Sequence, residues 1–220
     1  MQTAAGGAHT VAVSADGSLW AWGKAAEGRL GLGKDVRDDV LAPLQVGGLE
    51  TFGGCGVVWA SCGGKHTLAV CSDGSLFSWG RGAGGRLGQG DRNKRFKPAC
   101  VRAGQLASSK VIVASAGDAH CMAVREDGSL FSWGRGIFES MGCESPTGLG
   151  HGGIDDILVP QMLALPKLVR TSRHMCLLRE DALALAMSTH RRLGARSPCS
   201  ALLDDLVKRI VEAGGGLLDF

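Results

Sequence analysis

The run Gly63-Gly-Lys-His-Thr-Leu-Ala-Val-Cys-Ser-Asp-Gly-Ser-Leu-Phe-Ser-Trp-Gly80 decides the fold, because the chain writes it three times. It stands earlier as Gly6-Gly-Ala-His-Thr-Val-Ala-Val-Ser-Ala-Asp-Gly-Ser-Leu-Trp-Ala-Trp-Gly23. It stands later as Gly117-Asp-Ala-His-Cys-Met-Ala-Val-Arg-Glu-Asp-Gly-Ser-Leu-Phe-Ser-Trp-Gly134. His9, His66 and His120 are spaced by steps of 57 and 54 residues, and Trp22, Trp79 and Trp133 keep the same steps. A further step of 54 reaches His174, where His174-Met-Cys-Leu-Leu-Arg-Glu-Asp181 echoes the third copy. Ala182 and Met187 then replace the glycine and the tryptophan. Self-similarity at this period marks units that bury their cores against one another.

Each unit reads as short strands. Asp16-Gly17, Asp73-Gly74 and Asp127-Gly128 separate two apolar runs, the signal of a hairpin. Each unit then continues through Leu30-Gly-Leu-Gly33, Leu87-Gly-Gln-Gly90 or Leu149-Gly-His-Gly152 to a proline, Pro43, Pro98 or Pro160. A proline there suits a strand edge, where a missing N–H is tolerated. The β-rich runs Val57-Val-Trp-Ala60 and Val111-Ile-Val-Ala114 follow. About four short strands per unit make a propeller blade.

These motifs resemble the repeats of the regulator of chromosome condensation family: Gly-x-x-His-(Thr/Ser)-x-Ala-(Leu/Val), Asp-Gly, an aromatic, Trp-Gly, and Gly-Gln-Leu-Gly. Here Gly28-Arg-Leu-Gly31 and Gly85-Arg-Leu-Gly88 stand for the last element, with arginine in place of glutamine. The resemblance covers about residues 6–181 and implies part of a seven-bladed β-propeller. The fold class expected is all-β, about three and a half blades, over residues 1–178 with repeat cores near 6–23, 63–80, 117–134 and a degenerate 171–187. Residues 179–220 are expected to be helical: Pro198 suits a first turn, and Leu203, Leu206, Val207 and Ile210 form an apolar stripe. Seven such units would need roughly 380 residues. The chain opens inside a unit, so the expectation is a piece of a larger ring, with self-association through open blade edges as the alternative.

Composition narrows the function. Of 220 residues 35 are Gly, which suits many tight turns, and a hydrophobic share of 45% allows a sizeable core. A net charge of +3 is too small for a nucleic-acid tail. There is no signal-peptide pattern and no apolar run long enough to span a membrane, which points to the cytoplasm or nucleus. The eight cysteines form no Cys-x-x-Cys pair and read as reduced, mostly buried thiols.

No residue pattern requires catalysis, a cofactor or a metal. Gly80-Arg-Gly-Ala-Gly-Gly85 imitates a dinucleotide fingerprint, but Leu87-Gly-Gln-Gly90 follows it where a helix is needed. The signature residues His9, His66, His120, His174, Asp16, Gly17, Asp73, Gly74, Asp127, Gly128, Trp22, Trp79 and Trp133 read as structural. The histidines are expected to bond a neighbouring strand. Two stretches depart from the plain repeat and are the candidate partner-binding regions. One is a basic loop with an aromatic, Asp91 to Lys97, carrying Arg92, Lys94, Arg95, Phe96 and Lys97. The other is an insertion: Leu-Gly follows Trp-Gly by seven residues in the first two units, but by fifteen from Gly134 to Leu149. It places Ile137, Phe138 and Met141 in a loop.

The reading that follows is a non-catalytic protein-interaction module. The resemblance also implies two alternatives: guanine-nucleotide exchange on a Ran-like small GTPase, or the substrate-binding part of a ubiquitin-ligase-type protein. The related plant ultraviolet-B photoreceptor uses Gly-Trp-Arg-His-Thr motifs. No tryptophan stands beside His9, His66 or His120, which speaks against light sensing.

Overall fold

A computed structural model describes residues 1–163 except 105, 107–109, 141, 142, 147 and 148, with backbone alone over 138–140 and 143–146. Three four-stranded antiparallel sheets follow one another along the chain. The first is β1 (Gln2–Ala5), β2 (His9–Val13), β3 (Leu19–Gly23) and β4 (Val40–Gln45). The second is β5 (Val57–Cys62), β6 (His66–Cys71), β7 (Leu76–Gly80) and β8 (Arg95–Cys100). The third is β9 (Val111–Ala116), β10 (His120–Arg125), β11 (Leu130–Gly134) and β14 (Ile157–Met162), with the two-stranded hairpin β12 (Ile137–Ser140) and β13 (Cys143–Pro146) set between its last two strands. The three sheets are the blades of a partial propeller. The fourth unit around His174, the boundary near 178 and the C-terminal helix lie outside the described residues.

The Asp-Gly hairpins form as expected, with Val13 opposite Leu19, Val70 opposite Leu76 and Val124 opposite Leu130. Each turn has three loop residues. In the second, Gly74 N–H donates to the Cys71 carbonyl and Cys71 N–H to the Ser75 carbonyl. Gly74 sits at φ +86°, where a side chain would be strained, and Asp73 accepts from the Ser75 N–H at 2.9 Å.

The core lies between the blades. Val11, Leu19 and Ala21 of the first sheet meet Ala60, Ala69, Phe77 and Trp79 of the second. Leu68, Val70 and Leu76 on the opposite face of that sheet meet Val111, Ala114, Cys121, Phe131 and Trp133 of the third. The middle sheet is therefore covered on both sides, and β6 and β7 are buried at every position. In the first sheet β2 alternates buried and half-buried residues, because one face is covered and the other open.

The outer strands carry the prolines. Val46, Val101 and Leu163 donate their N–H groups back to Leu19, Leu76 and Leu130. Pro43, Pro98 and Pro160 lie three residues earlier in each strand, so their nitrogens face away from the sheet. The residue that cannot donate occupies the position where a donor would be left unpaired.

Among the described residues the cysteines are free thiols: Cys62, Cys71 and Cys121 buried, Cys55 and Cys100 half-buried. Burial pushes the Cys62 and Cys71 thiols up to about 12, with Asp73 adding to the effect at Cys71. No helix among the described residues is long and apolar enough to cross a membrane.

Candidate partner-binding face

The joint between blades explains the repeat signature. The Gly-x-x-His turn folds back on itself, with Gly63 N–H bonded to the His66 carbonyl at 2.9 Å. The imidazole then covers the glycine so closely that a Cβ at Gly63 would collide with it. The ring points out of its own blade. His9 Nε2 meets Thr67 Oγ1 at 2.9 Å, and His66 Nε2 meets Cys121 Sγ at 3.0 Å. Thr67 donates in turn to the Arg29 carbonyl at 2.8 Å, which also takes the Trp79 indole N–H at 3.0 Å. Cys121 and Trp133 repeat both contacts on the Arg86 carbonyl, each at 3.1 Å.

The arginine of each Gly-Arg-Leu-Gly turn completes the joint. Arg29 donates to Ala26 of its own turn at 2.8 Å and to Gly64 of the next blade at 3.2 Å; Arg86 does the same to Ala83 and Asp118. Both are buried, and among the described residues neither forms an ion pair, so carbonyl oxygens solvate their charge. Gly31 and Gly88, at φ +73° and +68°, lie against the indoles of Trp79 and Trp133, where a Cβ would collide with the ring. These residues tie each blade to the next. Among the described residues no three His, Cys, Asp or Glu side chains converge as metal ligands.

The two irregular stretches lie on one rim, in the connections between the third and fourth strands of their blades. Asp156 links them. One carboxylate oxygen pairs with Arg92 at 3.0 Å; the other accepts the Gly136 N–H at 3.2 Å, at the root of the β12–β13 hairpin. The insertion is thus a hairpin and not the loop expected from sequence, with Ile137 opposite Pro146 and half-buried. Met141 and the Phe138 side chain lie outside the described residues.

The basic stretch also differs from a plain loop. Arg95, Phe96 and Lys97 open the outer strand β8, because Gly80 pairs with Arg95. Its cations are largely engaged: Lys94 with Glu27 at 2.7 Å, Arg95 with Asp91 at 2.7 Å, and Arg92 with Asp156. The half-buried Phe96 lies against Gly28 of the preceding blade and under the Lys34 ammonium, 5.9 Å from its ring centre, while Lys97 is exposed. Arg92 and Lys94 keep more than half of their side chains in solvent, at 60% and 52%.

Glu27 is the residue that sequence reasoning missed. It holds φ +67°, the one left-handed non-glycine among the described residues, where the next unit has Gly84 at +73°. The bond from Lys94 keeps its carboxyl below the usual range. The repeat alignment carried the signal, a charged side chain at a glycine position.

Two family models with the description "Regulator of chromosome condensation (RCC1) repeat" match the chain, one over residues 16–70 and 73–124, the other over 2–29 and 111–138. The chain belongs to the regulator of chromosome condensation repeat family. Among curated relatives of this RCC1-repeat chain, the human E3 ubiquitin-protein ligase HERC2 is 34% identical over 72% of the chain but only 3% of its own length. The ultraviolet-B receptor UVR8 of Arabidopsis thaliana is 34% identical over 72% of the chain and 33% of its own length. The chain therefore spans a third or less of either relative. Human WBSCR16 superposes with a TM-score of 0.64 at 24% identity, over 78% of this chain and 41% of that one. Prp20p of Saccharomyces cerevisiae superposes at 0.53 and 20% identity, over 77% and 52%. These likenesses bear on the fold, and the RCC1 repeats account for it.

Proposed function

We propose that this RCC1-repeat chain is a non-catalytic protein-interaction module whose partner face is the rim holding Arg92, Lys94 and the β12–β13 hairpin. Asp156 carries the reading, since one carboxylate fixes the basic segment and the hairpin root to each other. The surrounding blades present this rim on a rigid support, their sheets packed face to face. The Lys94–Glu27 pair, retained over a left-handed backbone, supports the same reading, because such strain gathers where a surface is being positioned.

The yeast relative Prp20p binds Gsp1p and histones, which supplies two defined probes. Binding of either by the whole chain, weakened about tenfold or more by Arg92→Glu and by Asp156→Ala, is the expected result. Binding that both variants leave unchanged would move the partner face elsewhere. Faster nucleotide release from Gsp1p in the presence of the chain would replace the non-catalytic reading with exchange activity.

A further inference from the structure

The blades guard the free edges of their sheets in two ways, and one side of the β12–β13 hairpin uses neither. The outer strands β4, β8 and β14 carry Pro43, Pro98 and Pro160, each of which withholds an N–H. The first strands β1, β5 and β9, at the other edge of each sheet, are met by side chains of the adjoining blade. Gln2 holds the N–H and the carbonyl of Ala60 at 2.9 and 2.7 Å. Trp59 Nε1 donates to the Ala114 carbonyl at 2.9 Å, Ser61 Oγ accepts the Ala116 N–H at 3.0 Å, and Cys62 Sγ donates to the Ala4 carbonyl at 3.5 Å.

The register of the hairpin decides which of its edges is open. Ser140 pairs with Cys143, Glu139 with Glu144, Phe138 with Ser145 and Ile137 with Pro146. Antiparallel pairs alternate between bonded and non-bonded, and the pair that flanks a two-residue connection is a bonded one. Ser140–Cys143 and Phe138–Ser145 therefore exchange the bonds inside the hairpin. Ile137 and Glu139 turn their N–H and C=O groups to the outer side of β12, and Glu144 and Pro146 turn theirs to the outer side of β13. Pro146 has no N–H to offer, so β13 is blunted as the outer strands are. β12 contains no proline, and among the described strands it pairs with β13 alone.

Charge says what fits this edge. Glu139 and Glu144 stand directly opposite one another, and like charges at opposed positions destabilise a pair. Residues 136–149 contain these two acids and no Lys, Arg or His to offset them. A strand laid along β12 sets one of its own residues beside Glu139. We infer that the outer edge of β12 receives an extended basic segment of a partner protein as an added strand, with a lysine or arginine opposite Glu139. The inference rests on the reading of this rim as the partner face and names the chemistry of the partner there. Asp156 supports the receiving strand, because the N–H it holds belongs to Gly136, the residue before Ile137. A second copy is a poor occupant, since two such hairpins laid edge to edge bring their acids together without a cation.

The test uses the full chain and peptides of about eight residues, within the usual range of strand length. One peptide alternates lysine with threonine. A second has glutamate in place of lysine. A third is the lysine peptide N-methylated throughout, which keeps the charge and removes the backbone donors. Hydrogen exchange of the Ile137 and Glu139 amides, read by NMR, should slow about tenfold or more with the lysine peptide and stay unchanged with the other two. The double variant Glu139→Gln, Glu144→Gln should lose most of the protection. Equal protection by the glutamate peptide, or full protection of the double variant, would overturn the basic partner. Equal protection by the N-methylated peptide would overturn strand addition, and no protection by any peptide would overturn the site. Protection that rises with chain concentration in the absence of peptide would overturn the occupant in favour of a second copy. Failure of the rim reading looks different: protection by the lysine peptide in a chain that binds neither Gsp1p nor histones would uphold the edge and its basic ligand. Binding of either protein, weakened by Arg92→Glu while the lysine peptide protects neither amide, would uphold the rim and overturn the added strand.

Discussion

His9 and Thr67 are bonded across the gap between two blades, Nε2 to Oγ1 at 2.9 Å, while the His9 Nδ1 is buried with no hydrogen-bond partner. An imidazole held this way is kept neutral. Burial, and then the nearby Arg29 charge, lower its pKa to about 4. His66 is driven the same way by burial and Arg86.

Protonation is therefore linked to unfolding. The unfolded histidine takes its proton near pH 6.5 and the folded one only near 4. The stability contributed by the neutral ring is present in full above about pH 6.5 and drains away as pH falls to about 4. The slope is at most about 1.4 kcal/mol per pH unit for each histidine. A series of urea denaturations from pH 8 to 4 should show this decline, and His9→Gln should flatten part of it.

Equal substitutions should have unequal effects at the three tryptophans. Trp79→Phe removes the donor to the Arg29 carbonyl from a closed joint and should cost about 1–2 kcal/mol. Trp133→Phe should cost the same. Trp22→Phe, on the open face, should stay within about 0.5 kcal/mol. Denaturant midpoints of the three variants make the comparison.

Gly31→Ala should be among the most damaging small changes. It adds a methyl at φ +73°, 2.7 Å from the Trp79 indole nitrogen. Gly53, at φ +72°, has open space around its Cβ position, so Gly53→Ala isolates the backbone strain at about 1 kcal/mol. Thermal unfolding should place Gly31→Ala well below Gly53→Ala.

Arg86→Lys is not a conservative change. The guanidinium reaches Ala83 at 2.8 Å and Asp118 at 3.3 Å along two directions, and an ammonium cannot serve both from a buried stem. A loss of about 1–3 kcal/mol is expected in chemical denaturation, with the Gly85–Gly88 turn exchanging its amides faster.

Glu27→Gly should leave stability unchanged or slightly raised, because relief of the left-handed backbone offsets loss of a half-exposed ion pair worth about 1 kcal/mol. If the rim binds a partner, the same variant should weaken that binding, which separates stability from recognition in one protein.

The blades were legible because their signals are local. Asp73-Gly74-Ser75 closes its own hairpin, and Pro98 reveals an edge from one missing N–H. The recurrence of the histidines set them apart from a single catalytic group, and His9 and His66 each reach a side chain of the next blade. What escaped was relational. That Cys121 takes the place of Thr67, or that Asp156 reaches Arg92 across 64 residues, depends on which units become neighbours and at what register. The insertion read as a loop because Arg135 to Thr147 lacks an Asp-Gly turn and a clear alternation. The Arg95–Lys97 segment read as loop because its charge hid a strand.

The arginine turns have a last consequence, for biosynthesis. Arg29 presents its carbonyl to Thr67 and Trp79, which leave the ribosome some 40 to 50 residues after it. A freshly made blade thus waits for its successor before its final bonds close. A blade made on the ribosome therefore needs about one further unit of chain before these bonds can form, and the prolines of the outer strands withhold an N–H from pairing with another chain meanwhile.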